Sequence, residues 1–284
     1  MRLFRSFQQC AKSRSFATTT TTLSAGNNTA LSATSLQSEL PGTAPPHRSY
    51  IFLHTSQPPS EYPAKISTPV QRALLLKAAK WGGSVNFSWS KESPVIAARP
   101  PGEEKLQEYY MTAFSSARGC LEVPKVSLEN VDEVEARLRE HVEPATDASA
   151  QNDSSQDIHV YVCTHGARDC RCGDTGGAVV KAIRKELQKR RESNPADPSH
   201  RIKLAETGHV GGHKYAANVL VYPQGEWLGL VNPEDVPQVL DAILALPSRP
   251  LNANDAPLCP PHWRGRMDLS KEEQIELFRN ASRS

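Results

Sequence analysis

The chain has 284 residues, of which 38% are hydrophobic and 23% charged, and its formal net charge at pH 7 is +2. This composition is typical of globular proteins that bury a core. The small charge, with no basic stripe interleaved with aromatic residues, argues against a nucleic-acid partner. No apolar run approaches the roughly 18 residues needed to span a bilayer, so no membrane span is predicted.

The first residues are predicted to be a mitochondrial transit peptide. All the charged residues before Glu39 are basic, and Ser and Thr are abundant in this stretch. An acid-poor, Arg- and Ser-rich amphipathic start is typical of such peptides. We expect residues 1–16 to be removed by cleavage after Phe16, which predicts a mitochondrial protein of the matrix. Residues 17–47, rich in Ser, Thr, Ala, Asn and Pro, are predicted to form a disordered linker.

A first α/β unit is predicted over residues 48–145. Short apolar runs indicate strands, and apolar residues at helical spacing indicate helices. A polar stretch at 144–157 marks the end of the unit. The predicted elements are strands at 50–53 and 93–98 and helices at 69–80 and 131–141.

The second unit, residues 157–246, has a clearer pattern. Asp174-Thr175 is a suitable N-cap for its first helix. The element order β-α-β-β-β-α is compatible with a thioredoxin-like sheet covered by helices, and the first unit is interpreted as a degenerate copy of that architecture. The predicted elements are strands at 158–162, 202–206, 217–222 and 225–230 and helices at 176–191 and 235–246.

Residues 258–284 are predicted to be a C-terminal tail with a short helix. The helix, at 270–280, begins with Ser270, followed three residues later by Glu273, which is the pattern of a capping box. The Pro-, Trp- and Arg-containing segment 260–266 is open to three interpretations. It could dock a partner, pack over a nearby functional loop, or simply be part of the tail.

Two motifs carry the chemistry of the chain. Cys163, Cys170 and Cys172 follow one predicted strand, and His209 and His213 follow another. Loops that leave a sheet at one edge can converge on a metal ion or cluster. The chain has no secretory signal and no regular cysteine spacing, so a disulfide scaffold is not expected. The close group of three cysteines suggests metal or redox chemistry instead.

The histidine pair is predicted to lie on a loop. Gly211 and Gly212 stand between His209 and His213, and each would cost roughly 1 kcal/mol in a helix interior. Glycines in a tight loop let the backbone approach a ligand closely. The segment also lacks the Glu that follows the first His in zinc proteases, which excludes that class of enzyme.

Two kinds of metal centre fit these residues. Zinc accepts two thiolates and two imidazoles, so it could be bound by Cys163, Cys172, His209 and His213. The spacing of the histidines is usual for zinc, whereas the spacing of the cysteines is wider than in zinc knuckles. A [2Fe–2S] cluster is larger than one ion and suits so wide a cysteine loop. Zinc is therefore the alternative to an iron–sulfur cluster.

The pattern Cys-x8-Cys followed by His-x-Gly-Gly-His resembles the fungal sucrase/ferredoxin-like family, thioredoxin-like ferredoxins with a bis-histidinyl [2Fe–2S] cluster. The transit-like start makes the mitochondrial, altered-inheritance-of-mitochondria branch the closer match. The resemblance implies a thioredoxin-like ferredoxin domain preceded by a degenerate, ligand-free thioredoxin-like domain. It also implies that the four cluster ligands are Cys163, Cys172, His209 and His213. Cys170 lies in the same loop, two residues from Cys172, and could substitute as a ligand, although the family pattern favours Cys172.

The predicted function is a mitochondrial [2Fe–2S] redox protein for one-electron transfer or redox and thiol homeostasis, closer to an electron carrier than to a conventional enzyme. No flavin or nicotinamide fingerprint is present, so electrons are expected to pass between protein partners. Two alternatives stay open: a thiol oxidoreductase using Cys170 and Cys172, and a zinc-stabilised interaction module. Arg168, Asp169 and Lys214 are either groups that tune the cluster or ordinary surface charges.

Overall fold

The fold is given by a computed structural model that describes residues 33–92, 94, 107–144 and 156–283. The predicted transit peptide lies outside these residues, as does the strand predicted over 93–98 except for Pro94. No helix of the described part is both long and apolar enough to cross a membrane.

The first half of the chain forms a four-stranded sheet with helices packed on it. Its elements are α1 (Ala33–Ser38), β1 (Ser49–His54), α2 (Pro69–Ala78), β2 (Gly83–Trp89), β3 (Tyr109–Ser115), β4 (Gly119–Val126) and α3 (Val131–His141). The parallel strands β1 and β2 flank α2 in sequence, and β3 and β4 extend the sheet antiparallel beyond β1. The Thr68 side chain accepts a hydrogen bond from the Gln71 N–H, and Pro69 occupies the first helical position, so α2 begins there.

The second half repeats the same arrangement of strands. Its elements are β5 (Ile158–Cys163), α4 (Gly177–Ser193), β6 (Ile202–Thr207), β7 (Val219–Tyr222), β8 (Glu226–Leu228), α5 (Val236–Ala245), β9 (Trp263–Arg266) and α6 (Lys271–Ala281). β5 and β6 are parallel around α4, β7 is antiparallel to β5, and β8 is antiparallel to β7. Both halves therefore have the order β-α-β-β-β-α, and the predicted thioredoxin-like α/β fold is confirmed.

The two halves share one nine-stranded sheet, in the order β4-β3-β1-β2-β6-β5-β7-β8-β9. They join where β2 and β6 pair antiparallel, with Ser88 opposite Thr207 and Trp89 opposite Glu206. Because of this antiparallel pairing, β5 and β6 run toward the end of the sheet at which β1 and β2 begin. The loops that follow β5 and β6 therefore lie against the first half.

An aromatic core holds the halves together on one face of the sheet. Phe52 of β1 stacks on Tyr161 of β5 with ring centroids 3.7 Å apart, and Phe114 of β3 stacks on Tyr222 of β7 at 4.6 Å. All four rings are buried, and stacked pairs contribute about 0.5–1.5 kcal/mol each beyond their buried area. The halves are thus packed against each other as well as joined through a strand pair.

The predicted linker is wrong over its last part. Leu40 and Ala44 are buried, and His47 is buried with them. The backbone N–H groups of Gly42 and Thr43 donate to the carbonyl of Arg264 at 2.9 and 3.1 Å. The polar composition of 17–47 concealed these few apolar residues, which pack against a distant strand.

The predicted tail is also more integrated than expected. Residues 263–266 form β9, which pairs with β8 at the edge of the sheet, and their side chains are buried. α6 follows, and its capping box between Ser270 and Glu273 is confirmed, with both hydrogen bonds present. Strands β2, β3 and β4 were not predicted, although Val85, Phe87 and Trp89 alternate with polar residues in β2 as half-buried strands do.

Glu226 anchors β9 through a buried cluster of hydrogen bonds. Its carboxylate accepts from the Trp263 indole N–H at 2.6 Å, from the Leu258 N–H at 2.9 Å and from the Arg266 guanidinium. Glu226→Ala would leave the Arg266 charge buried without its partner, so we expect the free energy of unfolding to fall by about 3 kcal/mol or more. Denaturant unfolding measures this, with exposed Glu276→Ala as the control, expected to change stability by less than about 0.5 kcal/mol. Equal effects of the two substitutions would contradict the prediction.

Candidate metal centre

The first loop of the site follows β5. Cys163 is the last residue of that strand, and a π-helical turn over Cys172–Gly176 leads directly into α4. The predicted N-cap at Asp174-Thr175 is wrong, because both residues lie inside this turn. π-turns at helix ends are frequent at functional sites. Here the turn directs Cys172 back toward the end of β5.

The second loop follows β6 and carries both histidines. Gly211 and Gly212 have φ values of +84° and +65°, a conformation that favours glycine. The prediction of a loop rather than a helix for this segment is therefore confirmed. The Asn86 side-chain amide of β2 donates to the carbonyls of Gly208 at 3.3 Å and His209 at 3.4 Å. The first half of the chain thus holds the histidine loop in place.

The two loops bring three of the expected ligands together. The ligand atoms of Cys163, Cys172 and His209 all lie within 4.8 Å of one another, and the Cys172 sulfur is 3.8 Å from His209 Nδ1. Both cysteines are buried, at 0% and 1% exposure, and His209 is half-buried. This donor set, two sulfurs and an imidazole, could hold a metal ion or cluster.

His213 lies beside this group rather than within it. Its ring centroid is 5.7 Å from that of His209, and its Nδ1 is 3.7 Å from the Asp169 carboxylate. Its side chain is 49% exposed. Cys170 is exposed, and His165 Nε2 contacts the Pro63 carbonyl at 2.9 Å. Neither of these spare donors joins the group.

Hydrogen bonds favour an ionised thiol at the strand end. The pKa of Cys163 lies well below its usual value, chiefly because the Cys172 thiol donates a hydrogen bond to it, with further bonds from His209 and from the His165 and Val210 backbone N–H groups. That same hydrogen bond to Cys163, together with burial, raises the pKa of Cys172. Within the pair, ionisation is therefore favoured at Cys163, and thiolates are the form in which cysteine binds metals.

The comparison with known families bears on this site directly. The sequence profile described as sucrase/ferredoxin-like matches residues 40–265, which is most of the chain. The chain belongs to the sucrase/ferredoxin-like family. The resemblance inferred from the two motifs is confirmed.

Two yeast relatives match part of this sucrase/ferredoxin-like chain. Actin patches distal protein 1 of Saccharomyces cerevisiae is 36% identical over 97 residues, 32% of this chain and 30% of the relative. Altered inheritance of mitochondria protein 32 of Meyerozyma guilliermondii is 40% identical over 88 residues, 30% of this chain and 29% of the relative. The matched segment thus spans less than a third of either relative.

Among solved structures, a thioredoxin-like [2Fe–2S] ferredoxin from Aquifex aeolicus is similar at 25% identity. The match covers 32% of this chain and 82% of the ferredoxin, with a TM-score of 0.26.

Arg264 is the buried cation of this site. The side chain is 1% exposed and donates to the Thr43 carbonyl at 2.7 Å, to Asn218 Oδ1 at 2.6 Å and to the Gly211 carbonyl at 3.5 Å. It contacts no carboxylate among the described residues. Burial lowers the pKa of Arg264 to about 10, so it remains charged at neutral pH. Of the interpretations left open for segment 260–266, packing against a functional loop is the one found.

Arg264 also explains one of the two glycines of the loop. A Cβ at Gly212 would lie 2.4 Å from Arg264 Nη2, so only glycine allows this close approach.

The three charged residues that the sequence suggested as groups tuning the cluster differ in their ion pairs. Asp169 is paired with Arg171 at 2.9 Å, which lowers the pKa of Asp169 to about 2. Lys214 instead pairs with Glu39 at 3.0 Å, and Arg168 forms no ion pair with a described residue.

Gly176 allows the π-turn to pack against β5. A Cβ at this position would lie 2.1 Å from the Cys163 carbonyl oxygen, whereas a Cβ at Gly177 meets nothing within 4 Å. We expect Gly176→Ala to lower the free energy of unfolding by about 2 kcal/mol or more, since the backbone must move. Gly177→Ala, one residue along, should be neutral or stabilise by up to about 1 kcal/mol. Denaturant unfolding of the two variants tests this, and a harmless Gly176→Ala would refute the packing argument.

Proposed function

We propose that this protein is a mitochondrial [2Fe–2S] redox protein that transfers single electrons between protein partners. The observation that carries the proposal is the convergence of Cys163, Cys172 and His209 at the carboxyl ends of β5 and β6, with His213 alongside. The proposed ligands are these four residues. The N-terminal sequence and the name of the relative altered inheritance of mitochondria protein 32 support a mitochondrial location, with the matrix as the expected compartment.

The environment of the sulfurs suits a cluster. Backbone N–H groups of His165 and Val210 are hydrogen-bonded to the Cys163 sulfur, and such bonds tune the potentials of iron–sulfur centres. Cys172 is buried and Cys170 exposed, which favours Cys172 as the ligand. The Asp169 carboxylate lies 3.7 Å from His213 Nδ1 and places a negative charge beside that imidazole.

The ligand set has a consequence for the potential. A bound [2Fe–2S] cluster would supply a reversible one-electron couple. Neutral imidazoles in place of two thiolates raise the reduction potential of such a cluster. His213 is half exposed, whereas both cysteines are buried, so a partner protein would approach from the histidine side.

Metal analysis and spectroscopy of the purified full chain test the proposal. Anaerobically purified protein should be red-brown and give an EPR signal on reduction. It should contain about two irons and two sulfides per chain, as a [2Fe–2S] centre requires. His209→Cys and His213→Cys should each replace that signal with a different one. Cys170→Ser is the matched control and should change nothing, whereas Cys172→Ser should lose the cluster. A colourless protein with one zinc, or a Cys170–Cys172 disulfide without metal, would overturn the proposal.

Arg264 should raise the potential of the centre. Reduction adds one negative charge, which a buried guanidinium without a carboxylate partner stabilises. We expect Arg264→Gln to lower the reduction potential, at roughly 59 mV for each 1.4 kcal/mol of lost stabilisation. Arg264→Lys keeps the charge and should retain more of the native potential. Potentiometric titration followed by visible absorption measures both variants, and an unchanged potential in a folded Arg264→Gln protein would contradict this role.

A further inference from the structure

A cavity of about 440 Å³ opens beside the proposed metal centre. It lies between the first half of the chain and the two ligand loops, because the histidine loop leaves β6 opposite Ser88 and runs back along β2. His209 and His165 form part of its wall. The proposed electron-transfer function does not use this space. Its volume falls in the range of small-molecule sites.

The charges around the cavity have one sign. Lys65 and Arg168 line it, and neither forms an ion pair with a described residue. No Asp or Glu occurs among the described residues that line it. Nearby cations differ, since Arg171 pairs with Asp169 and Lys214 with Glu39. The two lining cations are therefore available to an anion.

The wall of the cavity combines apolar surface with polar groups, including the side chains of Gln71, Ser84 and Asn86. Tyr50, Trp227 and Leu75 contribute rings and aliphatic surface, and Asn86 contributes an amide. The Asn86 amide is fixed, because it donates to the Tyr50 hydroxyl at 3.1 Å as well as to the histidine loop. Ligand sites commonly combine an apolar lining with a few polar groups of this kind.

The two cations are carried by segments that are tied together. His165 Nε2 contacts the Pro63 carbonyl at 2.9 Å, and the His165 ring meets Tyr62 edge-on at 5.6 Å. Pro63 is two residues from Lys65, and His165 is three residues from Arg168. This contact joins the loop of the first half to the cysteine loop, which limits the entropy that a ligand must remove when it binds both cations.

We propose that this cavity binds a small organic carboxylate, with its acid group at Lys65 and Arg168 and its apolar part against Tyr50 and Leu75. The bound molecule would lie beside His209, so binding and reduction of the centre are coupled; this coupling rests on the proposed function. By linkage, an anion next to the centre disfavours reduction, and reduction weakens binding of the anion.

Equilibrium dialysis with 2-naphthoate and its neutral analogue 2-naphthamide tests the site on the full-length protein as purified. We expect saturable binding of 2-naphthoate and binding of 2-naphthamide weaker by about tenfold, the value of one charge-assisted hydrogen bond. Lys65→Glu and Arg168→Glu should each weaken 2-naphthoate binding by about tenfold or more. Lys181→Glu is the matched control: it is exposed on α4, does not line the cavity and should leave binding unchanged.

Several outcomes would contradict the carboxylate site or its coupling to the metal centre. Equal binding of the acid and the amide, no saturable binding, or equal effects of Lys65→Glu and Lys181→Glu would overturn the carboxylate site. Saturating 2-naphthoate should make the reduction potential more negative, and an unchanged potential would overturn the coupling. Iron and sulfide analysis separates the two proposals, because charge-dependent binding to a protein without a cluster would refute the redox function and support the site.

Discussion

One buried guanidinium connects parts of this chain that are far apart in sequence. The Arg264 side chain bonds to Thr43 near the beginning of the described chain and to Asn218 and Gly211 around the histidine loop. Burying a charge without an opposite charge is costly unless every donor finds an acceptor. Carbonyl and amide oxygens serve as those acceptors here. A residue held at such a cost is more easily explained by the nearby Cys163 and the histidine loop than by stability alone.

The two halves of the chain share an architecture and differ in chemistry. His54 ends β1 at the position where Cys163 ends β5, and its Nε2 bonds to Thr112 Oγ1 of the neighbouring strand at 2.9 Å. The first half thus has a different residue at the topological position of the first cysteine. It contributes to the candidate site through Asn86, which holds the histidine loop. The role of the first half at the candidate site is therefore one of support.

The sequence predicted whatever depends on local pattern. α3 coincides with its predicted range at 131–141, and the capping box of α6 lies at Ser270 and Glu273, because periodicity and caps are short-range signals. The two motifs likewise contain the three residues that converge, Cys163, Cys172 and His209, whereas His213 lies beside them. The π-turn at Cys172 and the contacts of Arg264 with Thr43 were not predictable, since the first depends on a backbone contact with Cys163 and the second joins residues 221 positions apart.

The candidate centre is asymmetric, and that asymmetry organises its surroundings. The sulfur side is closed by the end of β5 and the π-turn, and only the imidazole side reaches solvent, through His213, and the cavity, through His209. In the closed pocket, N–H donors favour an ionised Cys163, and the buried guanidinium of Arg264 adds a positive charge nearby. The candidate centre therefore has its two cysteines where the protein controls the electrostatics, and its two histidines where other molecules can reach them.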